Sequence, residues 1–251
     1  MSAGRTEIHF HALPGIDDGP QTMADAIALA RMAARDGTSR IVATPHVRDV
    51  VAAGIGILDE LPERVRELGD ELAAHGIEVE LRVGGETDDI DVAALSDEEL
   101  EMLAQGPEGE RWLLYEPPWY RSGADYLEGA PRLRERGFGL IIPHPERSPV
   151  FQTPAGEKAL RLLHDAGDLV QVTAGSLLGR HGERAFSLAR RWLAEGLVDL
   201  VSSDAHSPAK APALSRAFEA VAKLAGPEEA RRLVDEGPRA ILDGGHRRAG
   251  A

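Results

Sequence analysis

Two histidines with one residue between them, His9 and His11 in "EIHFHALPGIDDGP", open a series of side chains able to hold metal ions. Side chains two apart on a strand share a face, so both rings can reach one ion. Asp17 and Asp18 follow in the next loop. Further along come His46 in "ATPH", Glu86 in "GGE", Glu116 in "LLYEPP", His144, Glu146 and Arg147 in "PHPER", and Asp204 and His206 in "SSDAH". Imidazole nitrogens mixed with carboxylate oxygens suit manganese, iron or zinc, and donor softness alone does not choose among them. A carboxylate such as Glu86 can bridge two ions. Paired ions lower the pKa of a bound water and clamp the oxygens of a phosphoryl group. Arg147 adds a planar donor fork suited to phosphate.

Each of these residues also has an ordinary reading. Asp17 and Asp18 beside Gly19 and Pro20 make a turn. His46 after a proline is a loop residue, Glu86 after two glycines a solvated hairpin tip, "DAH" a helix cap and "PHPER" a rigid loop with a surface ion pair. Glu116 is harder to account for in this way, because it ends an apolar run. The common placement of the set decides the matter. Burying so many charges on one rim without cations would cost several kcal/mol for each one left uncompensated.

That placement follows from the elements. Seven short apolar runs, "TEIHF", "SRIVATP", "IEVELRVG", "RWLLYEP", "FGLIIPH", "DLVQVTA" and "VDLVSSD", alternate with helical patterns. Helices are expected from Thr22, as a cap, to Gly37, along Leu61, Val65, Leu68 and Leu72, and over 124–136, 155–166, 182–195 and 213–225. Alternating strands and helices without a linker predict one parallel βα barrel spanning 1–251, with a frayed tail after about 247. In such folds the active site forms at the C-terminal strand ends, where six of the seven runs carry the residues above. The sixth, "QVTAGS", has no ionisable group, and Asp17 is read as the turn residue. His75, His164, His181 and His246 fall in helices or outer loops. The stretch 49–58 is read as a packed loop rather than a lid.

Composition narrows the function. The 251 residues include no cysteine, which excludes disulfides, thiolate metal sites and a thiolate nucleophile. A net charge of −14 disfavours nucleic acid or an anionic membrane as partner. No run approaches the length of a membrane span, so a cytoplasmic protein without membrane insertion is expected. Oligomeric state is not legible.

The motifs "HFHALPGIDDGP", "ATPH", "GGE", "PHPER", "TAGSLLGRHG" and "SSDAH", closing on "GPRAIL", resemble the PHP (polymerase and histidinol phosphatase) superfamily. Within it they are most similar to the bacterial metal-dependent tyrosine phosphatases of capsular and exopolysaccharide synthesis. The resemblance runs from about residue 7 to 242. It implies a distorted seven-stranded βα barrel with two or three divalent ions, manganese first, iron or zinc as alternatives. His9, His11, Glu86 and Asp204 would hold the first ion, Glu86, Glu116 and His144 the second, Asp18, His46 and His206 the third. It further implies phosphate held by Arg147, and Asp204 and His206 taking part in catalysis. The implied reaction is hydrolysis of protein phosphotyrosine by a metal-bridged hydroxide, with a bacterial tyrosine kinase of polysaccharide synthesis among the substrates. The pattern departs at Phe10, Val47, Thr87, Thr173 and Ser148; the last stands where an aromatic residue usually follows the arginine. None of these is a ligand position, so they bear on the substrate. A small phosphate ester (of a sugar, a nucleotide or histidinol) and a non-catalytic metal-bearing regulator are the alternatives. An amidohydrolase-like barrel would want a lysine where Glu116 stands and a histidine in "QVTAGS".

Overall fold

The computed structural model describes residues 4–53, 57–119, 123–208 and 213–246. The tail after 247 and residues 54–56 of the 49–58 stretch lie outside them. Among the described residues eight strands form: β1 (Arg5–Phe10), β2 (Thr38–Ala43), β3 (Glu80–Val83), β4 (Glu86–Thr87), β5 (Trp112–Tyr115), β6 (Gly139–Pro143), β7 (Leu169–Thr173) and β8 (Leu200–Ser202). All pair in parallel, as two sheets ordered β1-β2-β3 and β4-β5-β6-β7-β8.

The seven expected strands thus become eight in two sheets. The cause is local. The third apolar run breaks at Gly84–Gly85, where the chain passes too close to its neighbours to carry side chains. A Cβ on Gly84 would lie 2.5 Å from Val42, and one on Gly85 2.6 Å from Leu103 and 2.9 Å from Val47. The run therefore leaves β2 as β3 and joins β5 as β4. Isolated bridges connect the two sheets at two seams, Phe10 with Ala205 and His46 with Glu86. Ile8, Val42, Leu114, Ile141, Leu169 and Leu200, drawn from both sheets, pack in one buried cluster with Ile241 and Leu242 of helix Gly237–Asp243.

The predicted helices are present, within a residue or two. Met23–Arg35 is capped by Thr22, whose side chain accepts from the Asp25 amide. Ala124–Glu135, Pro154–Asp165, Gly182–Ala194 and Leu214–Ala225 match their expected spans. In Ile57–Ala74 the residues Leu61, Val65, Leu68 and Leu72 are all buried, each leucine contributing about 1.5–3 kcal/mol against exposure. The loop expected at 49–58 is instead largely helical: Val47–Ala53 forms a helix and Ile57 starts the next. Val50 turns into the core while Val51 is half exposed. Asp89–Ala94 and Asp97–Leu103 are short helices, each stabilised by a capping box that takes up otherwise unpaired amides. No helix among the described residues is long and apolar enough to cross a membrane.

Candidate metal centre

The strand ends deliver the predicted side chains to one place. The backbone is tied together there by hydrogen bonds that run from strand to strand. Asp204 N–H donates to His9 O (3.1 Å), His11 N–H to Ala205 O (3.0 Å), Thr44 N–H to Phe10 O (2.9 Å), Glu86 N–H to Pro45 O (2.9 Å) and Glu116 N–H to Thr87 O (2.7 Å). Among the described residues, His144 (φ 37) and Asp204 (φ 53) are the non-glycine residues in the left-handed region. Such backbone is costly and persists only where the surroundings hold it. Both positions aim a side chain into the cluster.

His9 and His11 are fully buried, and their Nε2 atoms lie 3.3 Å apart. Both face the same two carboxylates. Glu86 Oε2 is 3.3 Å from each, and Asp204 Oδ1 is 3.2 Å from His9 and 3.6 Å from His11. The far nitrogens are occupied: His9 Nδ1 lies 2.9 Å from Gln171 Oε1 and His11 Nδ1 2.7 Å from Asp17 Oδ2. Since a carbonyl or carboxylate oxygen only accepts, each Nδ1 carries the hydrogen and each Nε2 lone pair points inward. Glu86 Oε2 and Asp204 Oδ1 have no hydrogen-bond partner among the described residues. Two lone pairs facing two buried carboxylate oxygens require protons or cations between them.

The ionisation of the site reflects that requirement. Burial alone would lower His9, yet Glu86 and Asp204 outweigh it and raise it to about 9. His11 is likewise raised against its burial, by Asp17, Asp204 and Glu86. Despite burial, His9 and its neighbours hold Glu86 and Asp204 well below the carboxylate range. Glu116 goes the other way, to about 8, through burial and the charge of Glu86. Burial lowers His144 to about 4, which leaves it neutral with a free lone pair.

Nine predicted ligands converge. Donor atoms within 4.8 Å of one another come from His9, His11 and Asp204; from His9, Glu86 and His144; from His46, Glu86 and Glu116; and from His11, Asp18, His46 and His206. These sets overlap the grouping that the resemblance implies without reproducing it: Glu86 falls with His9 and His144 in one set and with His46 and Glu116 in another, and not with His11 and Asp204. His46 Nδ1 sits 3.1 Å from Glu86 Oε2, and His11 joins the outermost set. Asp18 is the most exposed member, held 3.2 Å from His206 Nε2, which lowers its carboxyl to about 2. Imidazole and carboxylate donors around orphaned buried oxygens fit divalent cations. Arg147 stands at the rim and donates to Asp204 Oδ2. Glu146, also at a predicted strand end, does not join the cluster. It is buried, accepts from the Thr173 amide (3.0 Å) and hydroxyl (2.9 Å), and so ties β6 to β7.

Three neighbours of the cluster were not legible as such. Asp17 is more than a turn residue. Besides His11 it accepts from the amides of Gly19 (2.9 Å) and His46 (3.1 Å), joining two strand ends. A Cβ on Gly19 would lie 2.8 Å from Asp17 Oδ1, so glycine there permits the approach. Gln171 carries no charge, yet it orients His9. Trp119 donates from Nε1 to Glu116 Oε1 at 2.5 Å, and the Arg147 guanidinium carbon lies 5.3 Å from its ring. Ser148 is buried, so the aromatic ring beside Arg147 comes from the end of β5. Period two could have pointed to Gln171, whereas Trp119 lay beyond any strand pattern.

A family model described as "Capsular polysaccharide synthesis, CpsB/CapC" matches residues 5–243. Tyrosine-protein phosphatase YwqE of Bacillus subtilis (strain 168) is 30% identical over 212 residues, 80% of this chain and 77% of its own. Tyrosine-protein phosphatase CpsB of Streptococcus pneumoniae is 26% identical over 254 residues, 94% and 97% of the two chains. In the crystal structures of YwqE and CpsB, described as unique metal-dependent tyrosine phosphatases, a chain superposes with TM-score 0.79 at 26% identity, covering 94% of each. A beta-aspartyl dipeptidase from Fervidobacterium islandicum AW-1 reaches TM-score 0.52 at 13% identity, over 96% of this chain and 74% of its own, a likeness of fold alone.

Proposed function

The chain belongs to the capsular polysaccharide synthesis family CpsB/CapC, and from that premise we propose that it is a metal-dependent protein-tyrosine phosphatase acting in polysaccharide synthesis. The observation that carries the reading is the convergence of His9 and His11 Nε2 on the unpartnered oxygens of Glu86 and Asp204. The relatives' names and the absence of any cysteine agree with it.

His9, His11, Glu86 and Asp204 would hold a first ion, and Glu116 and His144 a second that shares Glu86. Asp18, His46 and His206 would hold a third, at the exposed side. Manganese is the favoured metal in a site with oxygen and nitrogen but no sulfur donors, with iron or zinc as alternatives. When bound, the ions supply an acidified water and neutralise the charge of the phosphoryl oxygens.

The chain's own residues do the rest. Arg147 presents its donor fork at the rim for phosphate oxygens that remain outside the ion cluster. Asp204 and His206, adjoining the open side, orient the reacting group, with His206 Nδ1 fixed 2.9 Å from Asp204 O. Gln171 and Asp17 keep both inner histidines in the ligating tautomer. A tyrosinate leaving group, with a parent pKa of about 10, asks less of a general acid than an alkoxide would.

The seam bridges support one PHP-type barrel built from a single domain. A tyrosine kinase of polysaccharide synthesis as substrate and a cytoplasmic site of action complete the proposal. It is tested by chelating the protein, restoring manganese, iron or zinc in turn, and measuring turnover of phosphotyrosine peptides beside small phosphate esters. Metal-dependent release of phosphate from the peptides is expected. A preference for sugar or nucleotide esters would move the substrate to the small-ester reading, and activity that survives chelation would sink the metal mechanism.

A further inference from the structure

We infer that Trp119 determines specificity: its indole stacks on the ring of the phosphorylated tyrosine and selects aryl over alkyl phosphate esters. This rests on the phosphatase reading above and adds the group that recognises the organic side of the substrate.

The cluster opens into a cavity of about 240 Å³ whose walls include Asp18, His46, Arg48, Arg147 and His206. Trp119 is the one Phe, Tyr or Trp among the described lining residues. The other two tryptophans, Trp112 and Trp192, are buried in the core. Trp119 is half-buried, in a wall otherwise made of charged and imidazole side chains. The exposed part of that ring offers apolar surface in a polar pocket, and a ligand ring is the partner that chemistry suggests for it.

The indole is also held in place rather than free to swing. Its Nε1 is anchored on Glu116, the Arg147 guanidinium stands against its ring, and the His144 ring centroid is 5.6 Å away. A preorganised aromatic wall loses little freedom on binding. Because Arg147 touches the indole, an ester group on a phosphate held by Arg147 leaves the cluster past that ring. Aromatic pairs work at centroid separations of about 4.5–7 Å. The cavity has room for one phosphoryl group and one ring.

The test compares phenylphosphonate with methylphosphonate as competitive inhibitors of the manganese-loaded full chain, using whichever phosphate ester it hydrolyses as reporter. The two probes share the phosphonate and differ in the ring. Wild type should bind the phenyl compound more tightly by roughly two- to tenfold, the size of one aromatic pair. Trp119→Phe, which keeps a ring but loses the bond to Glu116, should retain most of that preference. Trp119→Leu should bring the two inhibition constants together, with Trp119→Phe, which equally lacks the bond to Glu116, as the control for any change in metal content. Equal inhibition of wild type by both probes overturns the inference without recourse to any variant. A full aryl preference surviving in Trp119→Leu overturns it as well. If metal-loaded wild type turns over no phosphate ester at all, the phosphatase reading fails first and takes the inference with it.

Discussion

Asp17 Oδ2 lies 2.7 Å from His11 Nδ1, and through that contact a residue of the first loop fixes which face of an inner-strand histidine looks into the cluster. The same oxygen accepts from the His46 amide at 3.1 Å, so one carboxylate sets the relative position of two candidate ligands. Burial opposes ionisation of Asp17, but His11 prevails and lowers its pKa.

Asp17→Ala should therefore weaken metal binding without removing a ligand. Loss of such an orienting partner typically costs about 10–100-fold in affinity. Competition with a chelator of known affinity measures it. Affinity unchanged in the variant would mean that His11 is held by its strand alone.

Metal uptake should release protons. At pH 7 the metal-free site carries a proton on His9 (about 9) and on Glu116 (about 8), and the neighbouring carboxylates raise His11 as well. His9 and Glu116 have pKa values above the working pH, and a cation takes the lone pair the proton occupies. Apparent affinity should thus rise with pH up to about 9 and fall toward acid. Calorimetry in buffers of differing ionisation enthalpy reads the count, which should exceed one proton per chain at pH 7. Heats that do not depend on the buffer would show that the metal-free site is already deprotonated.

Glu7 gives a prediction about stability. It is fully buried beneath the cluster, its Oε2 accepts from the Ser203 amide at 3.0 Å, and burial raises it to about 8. The folded chain keeps a proton that the unfolded chain gives up from about pH 4.5. Stability is therefore lost as pH rises through that window and levels off above about 8. Glu7→Gln keeps an acceptor for Ser203 and removes the titration. In urea unfolding of chelated protein, the variant should gain on wild type between pH 5 and pH 8, by a few kcal/mol at most, on the order set by the shift. A constant difference across that range would show Glu7 ionised in the fold.

How much of this was legible in the sequence depended on the kind of signal. His9, His11, Asp18, His46, Glu86, Glu116, His144, Asp204 and His206 could be read because parallel strands end at one rim and reactive side chains at strand ends stand out. The break at Gly84–Gly85 could not, since its cause is contact with Val42, Leu103 and Val47, which are distant in sequence or belong to other elements. The helix Val47–Ala53 escapes the reading of 49–58 as a loop because seven residues hold too little periodicity to be told from an apolar connector. Asp17 and Gln171 act on histidines rather than on ions or substrate; a turn aspartate offers no pattern to read, and for the uncharged Gln171 strand period two is the single available signal. Glu146, at a strand end but in none of the expected ligand groups, is the converse case. It has the right type and place along the chain, but its side chain faces Thr173 instead of the cluster.

The most direct test measures metal content and phosphotyrosine turnover on the same samples of wild type, His9→Ala and Asp204→Ala, after reconstitution with manganese. Wild type should hold at least two ions per chain, as the overlapping donor sets suggest, and should hydrolyse the peptide. Both variants should lose metal and at least about a hundredfold in rate, the scale on which removal of transition-state stabilisation is felt. A variant that falls below one ion per chain yet turns over at the wild-type rate would contradict the account.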